Sequence, residues 1–255
     1  MILKPANVAS RPRHQGSFTD SKQRRILFRD TPDCALNEHG YTLRERIKIK
    51  KGKPEREVTL KFRTPDLIIA ADARPDKAKA KFEEDIAPLV VPTTAASGAV
   101  TAAFARPPSM RSLFSVSIDN DIEPSDRLLT VGDASAIYPD LINRLRAAGA
   151  PAIDAGVALE EGPPFQEVVF EGASVDLGHK VDAEFDLSLW YAADAFGTDA
   201  PALAELSFKY SVDDGDAAVA RRALTLFKAL QIKLDKWASA DRETKTSAAL
   251  PKSCH

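Results

Sequence analysis

Cysteine and histidine are scarce in this 255-residue chain, and several common motifs are missing. The two cysteines, Cys34 and Cys254, stand far apart and form neither a disulfide scaffold nor a zinc cluster. A chain of this length buries enough surface to do without covalent staples. His14, His39, His179 and His255 show no metal-ligand spacing such as HExxH. There is no GxxxxGK loop and no GxGxxG, so any phosphate chemistry proceeds without a P-loop. No apolar run reaches the roughly 20 residues of a membrane helix. The opening stretch, MILKPANVASRPRHQG, lacks the apolar core and cleavage site of a secretory signal. The expectation is a cytoplasmic protein with no membrane partner and reduced thiols.

Hydrophobic residues make up 44% and charged residues 28%, values that exclude wholesale disorder and allow one large domain or two small ones. The net charge of −2 conceals an asymmetry. Residues 1–81 carry 20 Lys/Arg against 10 Asp/Glu, and residues 82–255 carry 15 against 27. A basic half suits nucleic acid or a smaller polyanion. The acidic half would repel DNA, so nucleic acid is not the expected partner. The plain alternative is that the halves neutralise each other across one fold.

Period-two alternation dominates the middle of the chain. A first strand is expected at 25–29, ending in the turn signature at Asp30–Asp33, with a short helical turn closed by Gly40. In YTLRERIKI, Tyr41, Leu43, Glu45 and Ile47 share one parity, and Arg44 and Arg46 the other. After the KKGKP turn, Val58, Leu60 and Phe62 oppose Thr59, Lys61 and Arg63. KAKAKFEEDI is read as a strand with Lys79 and Lys81 on a charged face, although its composition also suits a helix. Residues 88–110 remain undecided between a helix and a long crossover. Further strands are expected at 111–118, 128–135, 166–176, 181–192 and 204–212. Helices are expected from Tyr138 with Pro139 near the start and Gly149 just beyond the end, and from Asp216 to Trp237, the second carrying Leu224, Phe227, Leu230, Leu234 and Trp237 on one stripe. Trp190 and Trp237 read as core anchors. Helices are too sparse between the early strands for a regular βαβ pattern.

Arginine and lysine on one strand parity need partners or water. If Arg44, Arg46, Lys61, Arg63, Lys79, Lys81 and Arg111 line a wet channel, a polyanion explains them, because guanidinium forks match phosphate oxygens. Glu184, Asp186 and Glu205 offer hard oxygen ligands for Mg2+ or Mn2+. Rival readings are a charged sheet face turned to solvent and a salt-bridge network between acidic and basic strands.

The segment RRILFRDTPDCALNEHGYTLRERI resembles the early part of a CYTH domain, the fold of the triphosphate tunnel metalloenzymes. Phe28, Asp30, Thr31 and Pro32, then Leu36 and Gly40, then Leu43-Arg44-Glu45-Arg46 carry the likeness. TLKFR with Lys61, the charged strand with Lys81, Glu83 and Asp85, and AEFDLSL with Glu184 and Asp186 extend it more loosely. The resemblance implies an α+β fold: an antiparallel eight-stranded β tunnel, closed or nearly closed as a barrel, with flanking helices. It places an N-terminal arm at 1–24, a single domain at 25–238 and a flexible tail at 239–255. It implies Mg2+- or Mn2+-dependent hydrolysis of a small triphosphate compound: inorganic triphosphate, thiamine triphosphate or a nucleotide. In that role Lys61, Glu205 and Lys209 would be catalytic and Glu184 and Asp186 would hold metal. One departure is large. The family's N-terminal ExExK strand is missing, since residues 1–24 contain no glutamate and offer only Asp20 and Lys22. A degenerate tunnel that binds polyphosphate or nucleotide without turnover is the alternative.

Overall fold

The computed structural model describes residues 14–15, 17–74, 80–94, 100–150, 152–197, 200–211, 216–240 and 245–254. In chain order they form β1 (His14–Gln15), β2 (Asp20–Asp30), α1 (Ala35–Glu38), β3 (Tyr41–Lys50), β4 (Lys53–Thr64) and α2 (Leu67–Asp72). Next come β5 (Ala80–Pro88), β6 (Val90–Thr94), β7 (Val100–Phe104), β8 (Met110–Ile122), α3 (Val131–Ile137) and α4 (Leu141–Ala148). The chain ends with β9 (Glu160–Glu161), β10 (Phe165–Asp176), β11 (Asp182–Ala192), β12 (Leu203–Lys209), α5 (Ala217–Leu234) and α6 (Lys245–Ala249). No helix among the described residues is long and apolar enough to cross a membrane.

Eight strands run antiparallel in the order β12-β11-β10-β2-β3-β4-β8-β5, and β6 and β7 form a separate hairpin. Barrel closure, expected from the family resemblance, is not found. β12 pairs only with β11 and β5 only with β8, so the sheet keeps two edges. A barrel needs a continuous ladder around its wall. Here the edges carry Glu205 and Lys209 on one side and Lys81, Glu83 and Glu84 on the other, the kind of charge that discourages edge pairing.

Alternation builds the core on the outer face. Tyr41 and Leu43 of β3 and Val58 and Leu60 of β4 meet Val131, Leu141 and Leu145 of α3 and α4. Leu43, Val58, Val131 and Leu145 are fully buried, and such burial stabilises by about 1.5–3 kcal/mol for each side chain. A second outer cluster joins Ala183 and Phe185 of β11 to Val219 and Ala223 of α5. A third lies on the opposite face: Ile26, Phe28, Phe165 and Trp190 with Ala249.

Several expectations change here. The segment 128–135 is not a strand. Thr130 and Asp133 form a reciprocal capping box that starts α3, a local signal stronger than the apolar run LLTV. Residues 88–110 hold the β6–β7 hairpin rather than a helix. β2 starts at Asp20, so part of the expected arm is strand. Residues 245–254, in the expected flexible tail, hold α6 and a 3-10 turn, with Ala249 and Leu250 buried. Cys34 and Cys254 form a disulfide, their Cα atoms 5.4 Å apart, although sequence spacing alone gave no reason to pair them. Trp237 is 87% exposed and anchors no core. Gly40 does close the turn after α1. Its φ of 79° is left-handed, and a Cβ there would meet the Arg63 carbonyl at 2.6 Å.

Candidate functional site

Strand register gathers the predicted residues on one face. Residues directly opposite in neighbouring antiparallel strands share a face. Arg44 opposes Thr59, which opposes Asp119. Lys61 opposes Ser117, which opposes Lys81, and Arg63 opposes Ser115. On the other flank, Glu167 opposes both Arg24 and Trp190, Ser188 opposes Glu205, and Glu184 opposes Lys209. Period two carries this face from Glu184 to Asp186 and from Arg44 to Arg46. Arg111 shares the parity of Ser115 and Ser117 but lies exposed at the far end of β8, opposite Ala87. Six residues separate it from Ser117, roughly 20 Å along a strand. Lys79 lies outside the described residues.

The centre of the face is cationic. Arg44 is half-buried, and burial, with Arg46 and Arg24 beside it, pulls it down to about 9, so it stays charged at neutral pH. Burial and Arg24 also lower Arg46. Arg44 Nη2 donates to Thr59 Oγ1 at 3.3 Å, and Arg46 Nη1 to Glu57 Oε1 at 3.0 Å. Nε of Arg44 and Nε of Arg46 are shut off from solvent and have no hydrogen-bond partner. Arg24 pairs with Glu167, which also accepts from Trp190 Nε1 at 2.8 Å.

The remaining predicted cations are engaged. Lys61 Nζ lies 2.9 Å from Asp85 and 3.6 Å from Glu83, and Arg63 Nε lies 2.8 Å from the same Asp85 oxygen. Burial alone would raise Asp85, but Lys61 and Arg63 outweigh it and hold the carboxyl below its ordinary range. Lys81 Nζ sits 2.7 Å from Asp119, whose other oxygen accepts from Thr59 Oγ1 at 2.7 Å.

The proposed metal ligands are spread along the β11–β12 flank. Glu184 and Asp186 face Lys209 at 3.6 and 3.9 Å, and Glu205 meets Lys245 at 2.9 Å. No group of three or more His, Cys, Asp or Glu side chains gathers as a metal site among the described residues. Mg2+ and Mn2+ favour sets of oxygen ligands. Two carboxylates turned toward one ammonium do not fit a protein-held cation.

Sequence reasoning missed Arg24, Glu167 and Lys245 and gave Trp190 only a packing role. Arg24 was legible: it continues the parity of Ile26 and Phe28 by one step before the expected strand start. Glu167 alternates with Val169 in the same way. Lys245 carried no signal, because its five-residue helix has no periodicity to read.

No family model and no curated protein matches the chain. Among solved structures, it is similar to a candidate adenylyl cyclase from Hippeastrum with a dominant triphosphatase activity. Identity there is 13%, coverage is 89% of this chain and 80% of that chain, and the TM-score is 0.38. It is also similar to a candidate adenylate cyclase from Bacillus halodurans, with 12% identity, coverage of 88% and 80%, and a TM-score of 0.39.

Proposed function

We propose that the polar face binds the polyphosphate group of a small phosphorylated molecule, with Arg44 and Arg46 as central contacts and Arg24, Lys61, Arg63 and Lys81 around them. The observation that carries this reading is the gathering of Arg24, Arg44 and Arg46 on one sheet face. Guanidinium forks match phosphate oxygens and bind them through charge-assisted hydrogen bonds. A phosphate chain would also offset the mutual repulsion of Arg24, Arg44 and Arg46. Arg111, at the far end of β8, serves at most as an outer contact in this reading.

Metal-dependent hydrolysis of a triphosphate is the second reading. Its one support is that Glu184, Asp186 and Glu205 share the face with the arginines, while their ion pairs to Lys209 and Lys245 leave no protein-held cation site among the described residues. Lys61, Glu205 and Lys209 would then act on the substrate. Ion pairs occupy all five of these carboxylate and ammonium groups, which makes this the weaker reading.

Titration calorimetry with sodium tripolyphosphate tests the first reading. Arg44→Ala and Arg46→Ala should each weaken binding by roughly 10- to 100-fold, the range for a hydrogen bond to a charged group. Folded variants that bind as tightly as the parent protein would sink the proposal. Phosphate release from tripolyphosphate, thiamine triphosphate and ATP, each with Mg2+, Mn2+ or EDTA, decides between the readings. Release that needs metal and is lost in Lys61→Ala establishes hydrolysis.

A further inference from the structure

The C-terminal segment occupies the same face as the arginines. Ala249 joins Ile26, Phe28, Phe165 and Trp190 in a closed apolar cluster, and Leu250 is 3% exposed. The seat is shaped for the segment. A Cβ on Gly162 would meet the Ala249 carbonyl at 1.9 Å, so only glycine permits this approach. From this seat α6 extends Lys245 over the Trp190 ring, 5.3 Å from its centroid. Lys245 Nζ lies 2.9 Å from Glu205 and 4.0 Å from Glu167.

Besides the disulfide, the segment is held by buried Ala249 and Leu250 and by the contacts of Lys245. A helix of five residues is too short to be stable by itself. Its ion pair to half-exposed Glu205 is of the weak surface kind, and the Ser253 hydroxyl donates to Glu160 at 2.8 Å. The Cys34–Cys254 bond spans 220 residues and ties the chain end to the entrance of α1. Cys34 is buried, whereas Cys254 is half-buried and is the more exposed residue of the two.

We propose that the Cys34–Cys254 disulfide is a redox latch that holds Lys245 on the polar face, and that opening it weakens polyanion binding there. The binding half of this inference rests on the polyphosphate reading above; the release half does not. Lys245 acts as a positioning residue: it shares Glu167 with Arg24 and neutralises Glu205. When it leaves, both carboxylates lose a counter-charge while Glu167 remains beside the arginines, so the face becomes less attractive to an anion.

A dithiol opens the latch in two exchanges. One thiolate attacks Cys254 Sγ, forming a mixed disulfide and expelling Cys34 as thiolate. The second thiol of the reagent then displaces Cys254 and leaves as a cyclic disulfide. Two electrons and two protons pass from the dithiol to the two cysteines.

The test compares the full chain oxidised, reduced with dithiothreitol and reoxidised. Hydrogen exchange is read at residues 245–254 and tripolyphosphate affinity by calorimetry. Reduction should speed exchange at Ala249 and Leu250 by at least about tenfold and raise Kd roughly three- to tenfold, and reoxidation should restore both. Cys254→Ser should reproduce the reduced state without reagent. Lys245→Gln in the oxidised chain should weaken binding while leaving exchange slow, which separates its charge from the clasp. Unchanged exchange after titration of two free thiols overturns the latch. Faster exchange with unchanged Kd overturns the role of Lys245. If neither redox form binds tripolyphosphate but exchange still rises on reduction, the polyphosphate reading has failed and release of the segment stands.

Discussion

Glu45 shows how much one side chain can carry on the outer face of the sheet. It is 2% exposed and lies at an apolar-parity position of β3, between Leu43 and Ile47. Its two oxygens hold Arg29 at 3.1 Å and Arg56 at 2.7 Å, and Arg29 also reaches Glu161 at 2.6 Å. Removing one partner from a buried ion pair strands the other charges, at a cost of about 3–5 kcal/mol. Glu45→Gln should therefore lower the melting temperature by on the order of 10 °C for a chain of this size. Differential scanning calorimetry checks this, and a loss of about 1 °C or less would mean that water reaches the arginines. Parity grouped Glu45 with Tyr41, Leu43 and Ile47, away from Arg44 and Arg46. It did not show the charge partners, because Arg29 belongs to another strand and Arg56 to the start of β4.

Among the elements, strands were legible and the segments between them less so. β3 and β4 alternate cleanly, and the pairing of Arg44 with Thr59 keeps to the parity that alternation shows. The β6–β7 hairpin escaped notice because its residues are mostly Ala, Thr, Val and Pro, with no polar parity to read. α3 was mistaken for strand because Thr130 caps it immediately after the apolar Leu128 and Leu129. The cap is what sets the element's identity. Thr130 accepts from the Asp133 amide at 3.1 Å, and Asp133 accepts from the amides of Leu129 and Thr130 at 2.8 and 2.9 Å. Thr130→Ala removes one half of the box and should cost about 1 kcal/mol. Chemical denaturation should then show an earlier midpoint at unchanged slope, whereas a changed slope would mean that the helix detaches as a separate unit.

At the scale of the whole molecule, the opposed charges of the two chain halves meet on one sheet. Basic β2, β3 and β4 lie at its middle, and acidic residues of β5, β8 and β10 answer them across strand boundaries. The sequence asymmetry signalled this. It did not separate a polyanion site from internal neutralisation, because both need the same residue types and only pairing distances distinguish them. The pairing is uneven: Lys61 and Lys81 are neutralised within the sheet, while the Nε atoms of Arg44 and Arg46 have no hydrogen-bond partner. The neutralised part makes stability depend on pH. Burial alone would raise Glu167, Asp85 and Asp119. Arg24 outweighs it for Glu167, Lys61 and Arg63 for Asp85, and Lys81 with Thr59 for Asp119, so all three are held below their ordinary range. A carboxyl whose native pKa is depressed binds its proton more readily in the unfolded chain. Its contribution is complete above the unfolded value of about 4 and is lost as pH falls through the native one. The urea midpoint should stay level from pH 7 to about 5 and drop steeply below about 4. Arg24→Gln releases Glu167 from its main cation, so the variant should start less stable at pH 7 and lose less on acidification. An equally steep acid limb in the variant would show that Glu167 contributes nothing to it and would locate the acid sensitivity in the Asp85 and Asp119 pairs alone.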